Sequence, residues 1–229
     1  MPIWAMYIRS INMENQNAIV VNNADTLLAE FTGGTSGSVE MMIGVGLVKD
    51  SDAVFFQYLG DEQKPVALMK QDSGKPITRL TNVTLCGLSI AEDIGEFKST
   101  KLNIYLRSSA GRTIMLTSGL TTIWSQCLLT CLSGLYNSYD LDTAFNLDSW
   151  KGNSKMRPCF AGVRIGQQKV TDQDLYNKLT EARGDRNAQL TNDLLREVVA
   201  RLGAAVNPQV AEVSVEEAPQ VDSEAAEIF

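Results

Sequence analysis

A strict alternation of apolar and polar residues over residues 101–107 constrains the fold of this chain more than any other feature. A period of two specifies a β-strand with one buried face. Residues 108–111 predict a turn, and residues 112–117 return as a second strand. We therefore expect an antiparallel hairpin that covers a core with one face and exposes the other. The residues expected on the inner face are Leu102, Ile104, Leu106, Ile114 and Leu116.

The rest of the chain divides into regions of different pattern. Residues 13–170 contain further short strands and turns, which predict a β-rich domain. An apolar helix is predicted near residues 121–136, because apolar residues recur there at spacings of three and four. Residues 171–206 predict a helical C-terminal element that begins with a capping box at Thr171. If Met13 is the true start, residues 1–12 form a loose N-terminal extension.

The last 23 residues, 207–229, account for most of the net charge. They contain six acids and no Lys or Arg, in a chain of 27 acids and 20 bases with a net charge of −7. A segment of this composition cannot bury enough apolar surface to offset its ordering entropy, so we expect a disordered acidic tail. The remaining body is nearly balanced in charge. The sequence pI of about 4.7 therefore does not exclude a nucleic-acid partner.

The absence of histidine limits the chemistry available to the chain. The sequence has no His, which removes Ser-His-Asp and Cys-His nucleophile systems and histidine-containing metal sites. The acids match no catalytic spacing, so we expect no enzyme and no cofactor. Each of the four cysteines sits near apolar residues, where a thiol behaves as a small hydrophobic group, and no metal is expected. They are Cys86, Cys127, Cys131 and Cys159.

Two segments bear on the compartment. Residues 116–135 are apolar but interrupted by Thr, Ser and Gln, which favours a buried helix over a membrane span. The N-terminus lacks a long apolar run followed by a cleavage site. We therefore expect a cytoplasmic protein with no membrane partner.

The outward face of the hairpin predicts a site for single-stranded nucleic acid. Cations on a strand face neutralise phosphates, and an aromatic ring among them stacks on an exposed base. The hairpin residues of this predicted interface are Lys98, Lys101, Asn103, Tyr105, Arg107 and Arg112. Bases from the preceding strands and loops extend it: Lys64, Lys70, Lys75 and Arg79. The alternative is that this is the solvated face of an ordinary amphipathic hairpin.

Further aromatic residues are candidates for stacking. Alternation places Phe56 with Tyr58 on one face and Phe55 on the other, and leaves open which face is outward. We take Phe56 and Tyr58 as the interface pair. A second basic cluster surrounds Trp150, formed by Lys151, Lys155 and Arg157.

The tail ends in Ile228 and Phe229, preceded by Glu224 and Glu227. Two large apolar residues at a free C-terminus can fill an apolar pocket rimmed by bases on a partner. This acidic tail with an apolar tip, on a β-rich domain, resembles the single-stranded-DNA-binding proteins of bacteria and phages. The tip differs from the bacterial pattern, which is denser in Asp and carries Pro before the final Phe.

The resemblance implies an OB-fold domain, a tail that recruits replication, recombination or repair proteins, and the cytoplasm of a bacterium or phage-infected host. We expect an α+β chain: an OB-fold-like barrel or small antiparallel sheet, with added helices and a disordered tail. The expected function is to coat and protect single-stranded DNA without strong sequence preference, as a homo-oligomer. The alternative is a non-enzymatic structural or assembly protein encoded by a phage or plasmid.

Overall fold

The computed structural model describes residues 18–21, 39–59, 64–94, 98–154 and 157–206. The strands are β1 Ala18–Val21, β2 Val39–Val45, β3 Phe55–Leu59, β4 Lys64–Lys70, β5 Arg79–Ile94, β6 Ser99–Ser108, β7 Thr113–Gly119, β8 Phe145–Lys151, β9 Cys159–Ile165 and β10 Gln168–Val170. The helices are α1 Ile123–Ser138, α2 Gln173–Gly184 and α3 Ala188–Val206. Predictions for residues 1–12 and for the tail lie outside the described residues.

The described strands form one mostly antiparallel sheet in the order β1-β4-β3-β2-β7-β6-β5-β8-β9-β10. The pairs β1–β4 and β2–β7 are parallel. Antiparallel strands and separate helices make this an α+β fold, which confirms that part of the expectation. The sheet has more strands than a five-stranded OB-fold, so the OB-fold itself is not confirmed.

One face of the sheet, the inner face, carries the core. Leu102, Ile104 and Leu106 of β6 are at most 1% exposed, as the alternation of residues 101–107 predicts. Cross-strand pairing places Ile114 and Leu116 of β7 beside them. The apolar face of α1 packs on this layer and buries Trp124. The side chains between the apolar residues of β6 therefore lie on the opposite, outer face of the sheet.

The segment that enters β5 folds back on β4 as a short hairpin. The Ile77 N–H donates to the Leu68 carbonyl at 3.1 Å, and the Lys70 N–H donates to the Lys75 carbonyl at 2.8 Å. An isolated antiparallel bridge joins Met69 to Pro76. Strand β5 is long enough to continue from this contact along both β8 and β6.

Capping residues set where the helices begin. The Thr122 hydroxyl accepts the Ser125 N–H, which starts α1 just after the predicted position. The cap of α2 is Asp172, whose carboxylate accepts the Leu175 N–H. The predicted cap, Thr171, is wrong by one residue; its hydroxyl bonds to the Val170 carbonyl instead. No helix in the described ranges has both the length and the apolar character needed to cross a membrane.

Asp172 also joins the three helices. Its carboxylate accepts hydrogen bonds from Ser133 and Asn137 of α1, and Arg201 of α3 bonds to Ser133. Burial raises the pKa of Asp172, but the hydrogen bonds and the Arg201 charge lower it further, so the pKa lies below its ordinary value. The ionised carboxylate therefore stabilises the packing of α2 on α1.

Candidate nucleic-acid interface

The four outward residues of β6 form the centre of the candidate site. Their neighbours are set by register: Lys101 pairs with Ala91 of β5, and Tyr105 pairs with Gly87. Because Leu102, Ile104 and Leu106 are buried below them, alternation places all four on the outer face. The structure thus brings together the core of the predicted interface: Lys101, Asn103, Tyr105 and Arg107.

The residues flanking this row are small or uncharged. On β5 and β7 the registered partners include no acid: Ala91, Ser89, Gly87, Thr84, Gly119, Thr117, Met115 and Thr113. Lys101 and Arg107 form no ion pair with any residue that the structure describes. Lys101, Asn103 and Tyr105 are half-buried, and Arg107 is exposed. The registered neighbours therefore do not neutralise the two cations of the row.

Arg107, at one end of the row, has a second environment. It lines a cavity of about 700 Å³ together with Cys86, Tyr136, Asp140 and Asp142. The negative charges of the two acids repel an anion and so weaken phosphate binding at this end. The Lys101 end and the centre at Tyr105 are therefore the more favourable positions for phosphate.

The uncertainty between Phe55 and Phe56 is resolved by the register of β3. Phe55 is 0% exposed in the core, and Phe56 pairs with Gly44 on the outer face. Phe56 is nevertheless only 8% exposed, since it packs with Val48 and Ala53 of the β2–β3 connection. A Cβ at Gly44 would lie 2.3 Å from its ring. Its burial leaves little of the Phe56 ring accessible for stacking on a base.

Tyr58, the other aromatic residue assigned to the interface, is accessible. It is 46% exposed on the outer face, with the ring of Phe56 at 5.2 Å in an edge-to-face contact. Phe56 therefore supports the ring of Tyr58 from below. Of the two aromatic residues assigned to the interface, one is exposed and the other holds it in place.

Several predicted bases lie apart from the row. Lys64 and Lys70 alternate with Pro65 and Met69 and so share the face of Leu68, which is in the core. Lys75 is exposed in the connection between β4 and β5, and Lys98 in the one between β5 and β6. The structure thus separates Lys64 and Lys70 from the outer face.

Arg112 also departs from the prediction. It precedes Thr113, which shares the face of Arg107, so alternation turns Arg112 to the opposite side. Its N–H and carbonyl pair with Ser108. Its Nη1 atom is buried and has no hydrogen-bond partner in the described part of the chain. Arg112 therefore does not contribute to the outer face.

A second group of residues lies on the outer face of β5, β8 and β9. The Asp148 carboxylate accepts hydrogen bonds from the Nε atoms of Arg79 and Arg164, the latter at 3.1 Å. Trp150 is 46% exposed, and its ring stacks on Phe160 at 5.9 Å. We call these residues, with Gly162 between Phe160 and Arg164, the Trp150 cleft.

The structure describes two of the three bases that the sequence analysis grouped with Trp150, and both contact other residues. Lys151 faces inward and donates to the carbonyls of Val48 and Ser51, and burial lowers its pKa. Arg157 pairs with Asp52, and Lys155 lies outside the described residues. The sequence analysis missed Arg164, although the alternation of β9 places it outward. Arg164 and Arg79 share the Asp148 carboxylate, a contact between residues too far apart in sequence for a local pattern to show.

The cysteines fit the packing role that was expected. Burial raises the pKa of Cys86, Cys127, Cys131 and Cys159. A raised pKa keeps a thiol protonated and unreactive near neutral pH. No group of three or more possible metal ligands occurs within the ranges that the structure describes.

The predicted partner-binding residues of the tail, Glu224, Glu227, Ile228 and Phe229, lie outside the described residues. Comparison with known proteins gives no match to any family model, curated protein or solved structure.

Proposed function

We propose that this chain binds single-stranded DNA along the outer face of its sheet. In this proposal it coats the strand without strong sequence preference, performs no catalysis, and recruits replication, recombination or repair proteins through the tip of its acidic tail. The tail residues assigned to the partner are Glu224, Glu227, Ile228 and Phe229.

One observation carries the proposal: the row Lys101, Asn103, Tyr105 and Arg107 lies on an outer face where its registered neighbours carry no acid. An ordinary solvated sheet face typically pairs cations with acids across strands. Among the residues that the structure describes, Lys101 has no ion-pair partner, and Asp140 and Asp142 lie at the Arg107 end alone. Such a surface attracts a polyanion.

The aromatic ring gives the surface its preference for a single strand. Tyr105 is half-buried, with Met115 of β7 on one side and Gly87 of β5, which has no side chain, on the other. An unpaired base can stack on such a ring, whereas a base inside a duplex cannot reach it. Stacking is tolerant of sequence because every base has a π-face. These features support binding without strong sequence preference.

The contact between β4 and the segment that enters β5 supports an OB-fold-like barrel as part of the proposal. The hydrogen bonds from Ile77 to Leu68 and from Lys70 to Lys75 link β4 to the segment entering β5. Strands β4, β3, β2, β7, β6 and β5 are neighbours in that order. A contact between the two ends of such a series is what a small barrel requires.

The test measures binding of the full-length protein to oligo-dT over a range of salt concentrations. We expect affinity to fall steeply with salt, and duplex DNA of the same length to bind far less. Lys101→Gln should reduce the slope of log affinity against log salt by about 0.7, the value for one phosphate contact on a single strand. Lys178→Gln, a change at an exposed lysine of α2, should leave the slope unchanged.

Two further variants sharpen the test. Tyr105→Ala should weaken binding by about 1–3 kcal/mol, the contribution of one stacked base. Deletion of residues 207–229 should preserve or strengthen binding, since it removes a competing polyanion. If neither the full-length nor the shortened protein binds oligo-dT at low salt, the proposal is wrong.

A second candidate function is supported by exposed apolar residues near β2 and β3. Val39, Met42, Leu47 and Tyr58 are 43–57% exposed. Large apolar side chains clustered on one region favour a protein contact. A structural or assembly protein would form a fixed oligomer regardless of DNA, so sedimentation velocity with and without oligo-dT separates this function from the first.

A further inference from the structure

The Trp150 cleft contains a combination of groups that the row on β6 does not use. It has an exposed indole on a stacked aromatic support, two arginines held by one carboxylate, and a glycine between them. Its volume is about 490 Å³, within the usual range for small-ligand sites. Lys169 adds a cation on β10, where it pairs with Arg164.

The floor of the cleft is formed by Gly162. A Cβ at this position would lie 3.4 Å from the Trp150 ring, so a larger side chain would fill the space beside the indole. Phe160 holds the indole by parallel stacking on the same face. The indole is therefore fixed by packing, while almost half of its surface remains open.

The arginines are fixed in a similar way. Arg164 bonds Asp148 through Nε, and the guanidinium has five N–H donors, so further donors remain for a ligand. Its side chain is 34% exposed. Arg79 and Lys169 also line the cleft, so three cations lie around it. Terminal guanidinium groups of this kind donate in pairs to phosphate.

The cleft and the row on β6 are connected by β5. Arg79 lies on the outer face at the start of β5, and Tyr105 pairs with Gly87 on the same strand. The eight steps from residue 79 to residue 87 would span about 26 Å of regular strand at ~3.3 Å per residue, and register shifts interrupt the strand between Leu80 and Val83 and between Leu85 and Gly87. Thr84, which pairs with Arg107, lies between them, so this route passes the end of the row where Asp140 and Asp142 also line a cavity. Strand β5 therefore connects the two positions.

We propose that the Trp150 cleft is a second stacking position for the same single strand of DNA. Trp150 stacks on one base, Arg164 binds the adjoining phosphate, and the strand then follows β5 to Tyr105. This inference rests on the proposed function and adds a defined path to it. It gives each residue a defined contact with a nucleotide: Trp150 with the base and Arg164 with the phosphate.

The experiment cross-links the full-length protein to oligo-dT in which 5-iodouracil replaces thymine, followed by peptide mapping. We expect adducts at both Trp150 and Tyr105. Trp150→Ala should weaken oligo-dT binding by about 5- to 150-fold, the loss of one stacked base, and Trp150→Phe should retain most of the affinity. Tyr176→Ala is the matched control, because Tyr176 is 47% exposed on α2 against 46% for Trp150.

The outcomes separate this inference from the proposed function. If wild-type protein binds oligo-dT and cross-links at Tyr105 but not at Trp150, and Trp150→Ala binds as tightly as the control, the second position is excluded while the proposed function stands. If wild-type protein does not bind oligo-dT at low salt, both proposals are overturned. The cross-link is read on the unmodified protein, so it does not depend on the folding of a variant.

Discussion

Replacement of Gly134 by alanine tests how tightly α1 packs against the start of α2. A Cβ at this position would lie 2.6 Å from the carbonyl carbon of Thr171 and 2.7 Å from the backbone nitrogen of Asp172. Backbone atoms cannot rotate away, so the segment must move by about 1 Å to reach an ordinary contact near 3.5 Å. We therefore expect the interface between the helices to open.

The magnitude follows from the hydrogen bonds across this contact. Asp172 N–H donates to the Thr130 carbonyl at 3.0 Å, and Asn137 and Ser133 donate to the Asp172 carboxylate. A displacement of about 1 Å takes such bonds beyond hydrogen-bonding distance. Three bonds at about 1 kcal/mol each, less about 1 kcal/mol gained from the helix propensity of alanine, give a net loss of about 2 kcal/mol.

The assay is urea unfolding followed by circular dichroism. For a slope near 2 kcal/mol per molar, a loss of about 2 kcal/mol lowers the midpoint by about 1 M. Gly184→Ala is the control: Gly184 is the last residue of α2, and nothing lies within 4 Å of a Cβ there. An unchanged or higher midpoint for Gly134→Ala would refute the packing argument.

Two other predictions concern stability. Asp172→Ala should lower the free energy of unfolding by about 1–2 kcal/mol at pH 7, because α2 loses its cap. The folded-state pKa of Asp172 is depressed, so its stabilisation is present above the unfolded pKa near 3.9 and is lost as pH falls through the folded value. Thermal unfolding should therefore show a difference between variant and wild type that shrinks below about pH 4. Ser149→Ala should lower the free energy of unfolding by about 1–3 kcal/mol, because the buried Trp124 Nε1–H, which donates to Ser149 Oγ at 3.0 Å, would lose its partner. Ser154→Ala, at an exposed serine, should be neutral in the same urea titration. Equal midpoints for the two serine variants would contradict this assignment.

The sequence predicted the candidate site where the alternation within one strand determines which way the side chains point. The alternation over residues 101–107 placed Lys101 and Tyr105 on one face, because the side-chain direction in a strand follows from the backbone period. The same rule fails at strand ends and bends. It could not place Lys64, Lys70 or Arg112, whose orientation depends on which face of the neighbouring strand is buried.

The sequence also could not predict that a connecting segment buries one of the aromatic residues. Phe56 has the aromatic character of a stacking residue, yet Val48 and Ala53 cover it. No sequence pattern states that the β2–β3 connection folds back over its own strand. Whether an outward aromatic residue is available to a ligand is therefore decided by packing.

By itself, the sequence determined the hairpin, the positions of the three helices within a few residues and the concentration of negative charge in residues 207–229, since each depends on neighbours along the chain. Only the tertiary structure decided that Arg79, Asp148 and Arg164 meet beside Trp150, or that β5 joins this cleft to Tyr105. Asp148 lies 69 residues from Arg79, and their contact exists because β5 and β8 pair in one register. Cross-strand register is a property of the whole sheet, and it fixes which cations and rings share the outer face.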